Sequence, residues 1–162
     1  MDIIETPFTG VRLRHRSAKT FDDLLAALLA DVGARPVPIG EIAAATASWS
    51  AYEREVGTHA GPSGFMLFAT LDHGEWIGKA GIEQKVLRVV IGNPLIAITM
   101  MRHDVTAGLF APVELLLTEE ADGSALTYVR PSSLMVVTPD AALLDAAATL
   151  DAKLAALVES IV

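Results

Sequence analysis

Apolar positions recurring by fours and threes mark the clearest element of this chain. Leu143, Ala147, Leu150, Leu154, Leu157 and Ile161 form one unbroken seam, so they line one side of a helix. The spacing predicts a long terminal helix capped at Thr138, with Pro139 in the first helical position. A second stripe, Phe21, Leu24, Leu25, Leu28, Leu29 and Val32, lies between Thr20 and Gly33. Thr20 suits an N-cap and Gly33 a helix stop. Asp22 and Asp23 fall in the first turn, where the helix dipole favours negative charge.

Elsewhere the period drops to two. Alternation predicts strands over about 11–17, 65–71, 86–91, 113–118 and 125–130. On the first, Arg12, Arg14 and Arg16 share one face while Val11, Leu13 and His15 share the other. Asp122-Gly123 signals a hairpin between the last two strands, and Pro131-Ser132-Ser133 stops the second of them. Polar turn material joins the strands ending at 71 and beginning at 86.

Residues 34–64 are less regular. Arg35-Pro36-Val37-Pro38 must be extended. One helix is expected over about 41–56, with Ile42, Trp49, Tyr52 and Val56 on one side and Gly57 as its stop. Trp49 and Tyr52 read as core packing ahead of an aromatic ligand wall. Gly61-Pro62-Ser63-Gly64 is a turn-rich loop. The segment reads as an insertion within a single domain spanning residues 1–162. The succession of hairpins and helices implies an α+β fold, a mostly antiparallel sheet with helices packed on one face.

The stretch IGNPLIAITMMRHD, residues 91–104, stands apart. Asn93 suits an N-cap and Pro94 a first helical residue, so helix initiation explains Gly92-Asn93-Pro94 better than an anion cradle does. Leu95, Ile96, Ala97, Ile98, Met100 and Met101 point in nearly every direction, so burial on most sides is expected. Arg102-His103-Asp104 then forms the polar end.

Composition narrows the function classes. The chain has 162 residues, 52% of them hydrophobic, and a formal net charge of −8. That balance disfavours nucleic acid and anionic membrane surfaces, which need a dense cationic face. Arg12, Arg14, Arg16 and Lys19 read as the solvated outer side of a half-buried strand in preference to an anion-binding stripe. No apolar run approaches the ~18 residues of a spanning helix. The start, Met1-Asp2-Ile3-Ile4-Glu5, is acidic where a signal peptide is basic, so a soluble cytoplasmic protein is expected. Cysteine is absent, which removes thiol nucleophiles and thiolate metal sites.

No pair among His15, His59, His73 and His103 has the spacing of a helical or finger-type zinc site, and no metal or other cofactor is expected. Asp72-His73 and His103-Asp104 could meet in space as an acid–base pair, a geometry that spacing leaves open. The glycines from Gly57 to Gly64 precede a strand instead of following one, so they are not a phosphate loop. Ser132-Ser133 follows a proline with no nearby base.

Residues 86–134 carry a resemblance. LRVVIGNPLIAITMM is followed by AGLFAPVELLLTEEADGSALTYVRPSSL, similar to the family known as domain of unknown function 302. Gly92, Asn93, Pro94, Leu109, Pro112, Gly123, Tyr128 and Pro131 stand at its shared positions, and Asp72-His73 resembles its usual strand end. The resemblance implies a small α+β fold similar to the TATA-binding-protein-like arrangement, often as a homodimer. It implies no reaction.

Together these features favour a non-catalytic homodimeric binder of a small or apolar molecule, held between sheet and helices. Asn93, Met101, Arg102, His103, Asp104, Tyr128 and His73 are the expected ligand-facing residues. An enzyme using His73, His103 and Asp104 for acid–base or metal-assisted chemistry is the alternative, and a structural or partner-binding module the third.

Overall fold

The computed structural model describes residues 1–162. Five strands, β1 (Arg12–Ser17), β2 (Met66–Asp72), β3 (Val86–Gly92), β4 (Val113–Glu120) and β5 (Gly123–Val129), form one sheet. Its order is β1-β5-β4-β3-β2 and every pairing is antiparallel. The α+β architecture expected from the hairpin pattern is therefore present.

Helices α1 (Phe21–Val32) and α7 (Ala141–Ile161) supply the main core opposite the sheet. Leu24, Leu28 and Leu154 are fully buried, in one cluster with Val89, Leu115, Leu117 and Leu126. All six seam residues of α7 are buried. The alternation on β1 also holds: its arginines are exposed while Leu13 and His15 are half-buried. His15 stacks on Tyr128 at 5.7 Å between centroids. No helix is long and apolar enough to cross a membrane.

Four local expectations are corrected. The helix expected over 41–56 is two: α2 (Ile39–Ala45) and α3 (Trp49–Gly57). Side-chain hydroxyls break it. Thr46 Oγ1 donates back to the Ile42 carbonyl at 2.8 Å, and Ser48 Oγ accepts from Ala51 N at 3.2 Å. Such bonds compete with helix propagation. The turn after β2 contains a short helix, α4 (Gly74–Ile77), and a 3-10 turn at Gly78–Ala80.

At the other end of the chain, Pro131 stops β5 and opens another short helix, α6 (Pro131–Met135). The terminal helix is capped two residues later than expected, by Asp140, whose carboxylate accepts from Leu143 N at 2.9 Å. Aspartate outranks threonine as a cap, and α6 leaves residues 136–139 as the connection. In the β4–β5 hairpin Glu120 stands opposite Gly123, so the loop residues are Ala121 and Asp122. Gly123 takes φ 135° and lies tight against the Ser17 carbonyl, where a Cβ has no room.

Candidate functional site

Gly92, Asn93 and Pro94 join the end of β3 to α5 (Pro94–Met101). Gly92 is buried, and a Cβ there would come within 2.8 Å of Phe68 Cε2 and 3.0 Å of Pro112 Cβ. The glycine is thus required by close approach. Asn93 is buried and uses both ends of its amide. Its Oδ1 accepts from Leu95 N at 2.8 Å, and its Nδ2 donates to the Gly64 carbonyl at 2.8 Å.

The helix start leaves no donor for an anion. Pro94 has no N–H, Leu95 N is taken by Asn93 Oδ1, and Ile96 N and Ala97 N donate to the Asn93 carbonyl at 3.0 and 2.9 Å. Gly-Asn-Pro is a helix start.

The loop that receives Asn93 is itself tied down. Asp31, near the end of α1, accepts from both the backbone N–H and the hydroxyl of Ser63. Gly61 N donates to the Phe65 carbonyl at 2.8 Å. A cavity of about 230 Å³ lies between this end of the sheet and the surrounding helices. Phe65, Phe68 and Val113 come from the sheet side, Ile39 and Tyr52 from α2 and α3, Ile96 and Met100 from α5, and Leu150 from α7. Ten of its fourteen lining residues are hydrophobic, which selects against charged occupants.

Tyr52 brings the polar atom of interest. Its hydroxyl has no partner within the chain, and burial pushes its pKa up, so it is a protonated donor at neutral pH. Trp49, expected in the core beside it, is 48% exposed and tilts against the Tyr52 ring at 5.7 Å.

Helix α5 is less enclosed than its composition implies. Only Met100 is fully buried, while Leu95, Ile96, Ala97 and Ile98 are half-buried. The helix packs on α7 and α3, the cavity lies along its side that carries Pro94, Ile96, Ala97 and Met100, and the remaining side faces outward.

Among the expected ligand-facing residues, Asn93 lines the cavity. Met101 is half-buried, packed on the core beside Gly108. Arg102 is exposed and donates from Nε to the Ile98 carbonyl at 3.2 Å. His103 is exposed. Asp104 Oδ1 accepts from the Thr106 hydroxyl and N–H at 2.7 and 2.8 Å, capping a 3-10 helix at Val105–Leu109. These two bonds hold its carboxyl below the usual range.

His73 follows β2, and its Nδ1 accepts from Trp76 Nε1 at 3.3 Å. Tyr128 is buried on the helix-covered face of the sheet, and its burial, then the negative charge of Asp151, raise its pKa. No three His, Asp or Glu side chains converge as a metal-binding group.

Sequence reasoning missed Phe68, Ile39 and Pro112 as cavity walls. The Leu-x-x-Pro step placed Pro112 in the family pattern, but only folding brings it against Gly92.

The sequence model described as "Domain of unknown function DUF302" matches residues 42–161. The fold is similar to that in the crystal structure of an uncharacterized conserved DUF302 protein from Bacillus stearothermophilus. The two have a TM-score of 0.66 and 16% sequence identity, over 93% of this chain and 98% of that one. No curated protein matches the chain.

Proposed function

Since the chain belongs to the domain of unknown function 302 family, whose description assigns no reaction, we propose a function from its cavity: non-catalytic binding of a small, largely apolar molecule by a homodimer. The observation that carries this reading is the apolar cavity of about 230 Å³ under α5, with Tyr52, whose hydroxyl has no partner in the chain, among its lining residues. A dry apolar cavity of roughly 150 Å³ is enough for benzene, so this one suits a substituted single ring or a short branched chain. One hydrogen-bonding group on that molecule would meet Tyr52.

The homodimer is supported by the 3-10 helix that follows α5, where Val105 at 74% and Leu109 at 79% exposure present apolar surface that a second copy would cover.

Para-cresol and toluene test the cavity by calorimetry and thermal shift. Cresol is expected to bind saturably, Ala97→Trp to abolish binding by filling the space, and Tyr52→Phe to weaken cresol while sparing toluene. Saturable binding that survives Ala97→Trp, or no binding of either probe, rules out this cavity as the site. Sedimentation of the wild type and of Val105→Glu tests the dimer: a monomeric wild type rejects it.

A further inference from the structure

The other face of the sheet has different chemistry. Register places Arg14, Thr127, Leu116, Arg88 and Leu71 in one row across the five strands. By the two-residue period, Arg12, Arg16, Val129, Glu114 and Glu120 share that side. Four arginines therefore stand against two glutamates, a local net charge of +2 on a chain of net charge −8. Arg14 pairs with Glu120, Arg16 reaches the same carboxylate at 4.0 Å, and Arg88 pairs with Glu114. Arg12 alone is left without a carboxylate.

A cleft of about 580 Å³ opens on this face beside Arg12. Leu116, Thr127 and Val129 line it along the strands, Phe110 and Leu134 border it, and the Arg88–Glu114 pair forms its far side. Arg12 on β1 and Glu114 on β4 are two strands apart, roughly 10 Å at ordinary strand spacing. The cleft shares only Pro112 and Val113 with the cavity under α5.

We propose that this cleft binds a small monocarboxylate with an apolar body. The free guanidinium of Arg12 offers a carboxylate a two-pronged contact, and the apolar body lies over Leu116 and Val129 toward Phe110 and Leu134. Arg88 is already neutralised by Glu114, so the cleft offers one uncompensated positive charge. Glu114 disfavours a second negative charge on the ligand. A single acid group on an apolar frame matches both conditions. The proposal does not depend on what occupies the cavity under α5.

Calorimetric titration with 4-phenylbutyrate and 4-phenylbutanol, which differ at the acid group, tests it. The acid is expected to bind at least about ten-fold more tightly than the alcohol, as a charge-assisted contact implies. Arg12→Gln should remove most of that preference, Arg12→Lys should restore part of it, and Leu116→Trp should weaken both probes. Ala97→Trp should leave acid binding unchanged. Arg12 is exposed, so circular dichroism should show its variants folded. Equal affinity for acid and alcohol, undiminished acid binding in folded Arg12→Gln, or loss of acid binding in Ala97→Trp would each overturn the assignment.

Discussion

Asn93 Nδ2 donates to the carbonyl of Gly64 at 2.8 Å, across 29 residues of chain. The other end of the same amide caps α5. One side chain thus fastens the turn before β2 to the helix that roofs the cavity, and its two bonds contribute separately.

Asn93→Ala loses both bonds, and a cost of about 1–3 kcal/mol is expected from a lost cap and a lost buried hydrogen bond. Asn93→Ser keeps a capping oxygen without the amide donor, so its cost should be smaller. Urea unfolding of the three proteins measures the difference.

Gly92→Ala places a methyl 2.8 Å from Phe68 Cε2 and 3.0 Å from Pro112 Cβ. Overpacking of this kind costs about 1–3 kcal/mol. Phe68→Leu, by removing the nearer obstacle, should recover part of that loss in the double mutant. Equal stability of the single and double mutants would place the strain elsewhere.

Leu154 is fully buried in the seam of α7. Leu154→Ala is expected to destabilise the fold by about 2–5 kcal/mol, whereas Leu144→Ala, at a position 48% exposed, should change stability little. Denaturant midpoints compared at constant m-value provide the check.

Asp104 gives a pH prediction with a definite sign. Hydrogen bonds from the Thr106 hydroxyl and N–H lower its folded pKa. Its contribution is therefore complete above the unfolded carboxylate value, about 4, and disappears as pH falls through the folded one. Asp104→Asn should be less stable than the wild type at pH 7, and the two should converge on acidification. A stability difference independent of pH would show that charge is not involved.

Much of this was legible from local sequence. The α7 seam, the Thr20 and Asn93 caps and the two-sided β1 each depend on neighbours within a few positions, where spacing alone determines geometry. The misplaced boundaries depend on competition between adjacent signals. Thr138 and Asp140 are both competent caps, and Thr46 and Ser48 interrupt an apolar pattern that continues through them. The site was harder to see, because its walls come from α2, α3, α5, α7 and three strands.

Composition also overstated the burial of α5. An apolar sequence fits a helix beside a cavity or on an outer surface as well as one inside a core. Its polar end stands out in the sequence, yet Asp104 is occupied by a local cap, and none of Arg102, His103 and Asp104 lines the cavity.

The strand order has a consequence for the growing chain. Strands β2 to β5 pair in succession, each with the next one made. Strand β1, the earliest of the five in sequence, pairs only with β5, so that Arg12 meets Val129 after more than a hundred intervening residues. Of the five strands β1 is made before the other four, and its pairing with β5 is the longest closure in the sheet, the kind that is slow to form. Before pairing it exposes both edges, and in the finished sheet, where it stands at one end, it still exposes one; three arginines in six residues are the kind of charge that discourages adhesion between such edges. The arginines that give the finished sheet its basic face would also protect the strand during its wait for a partner.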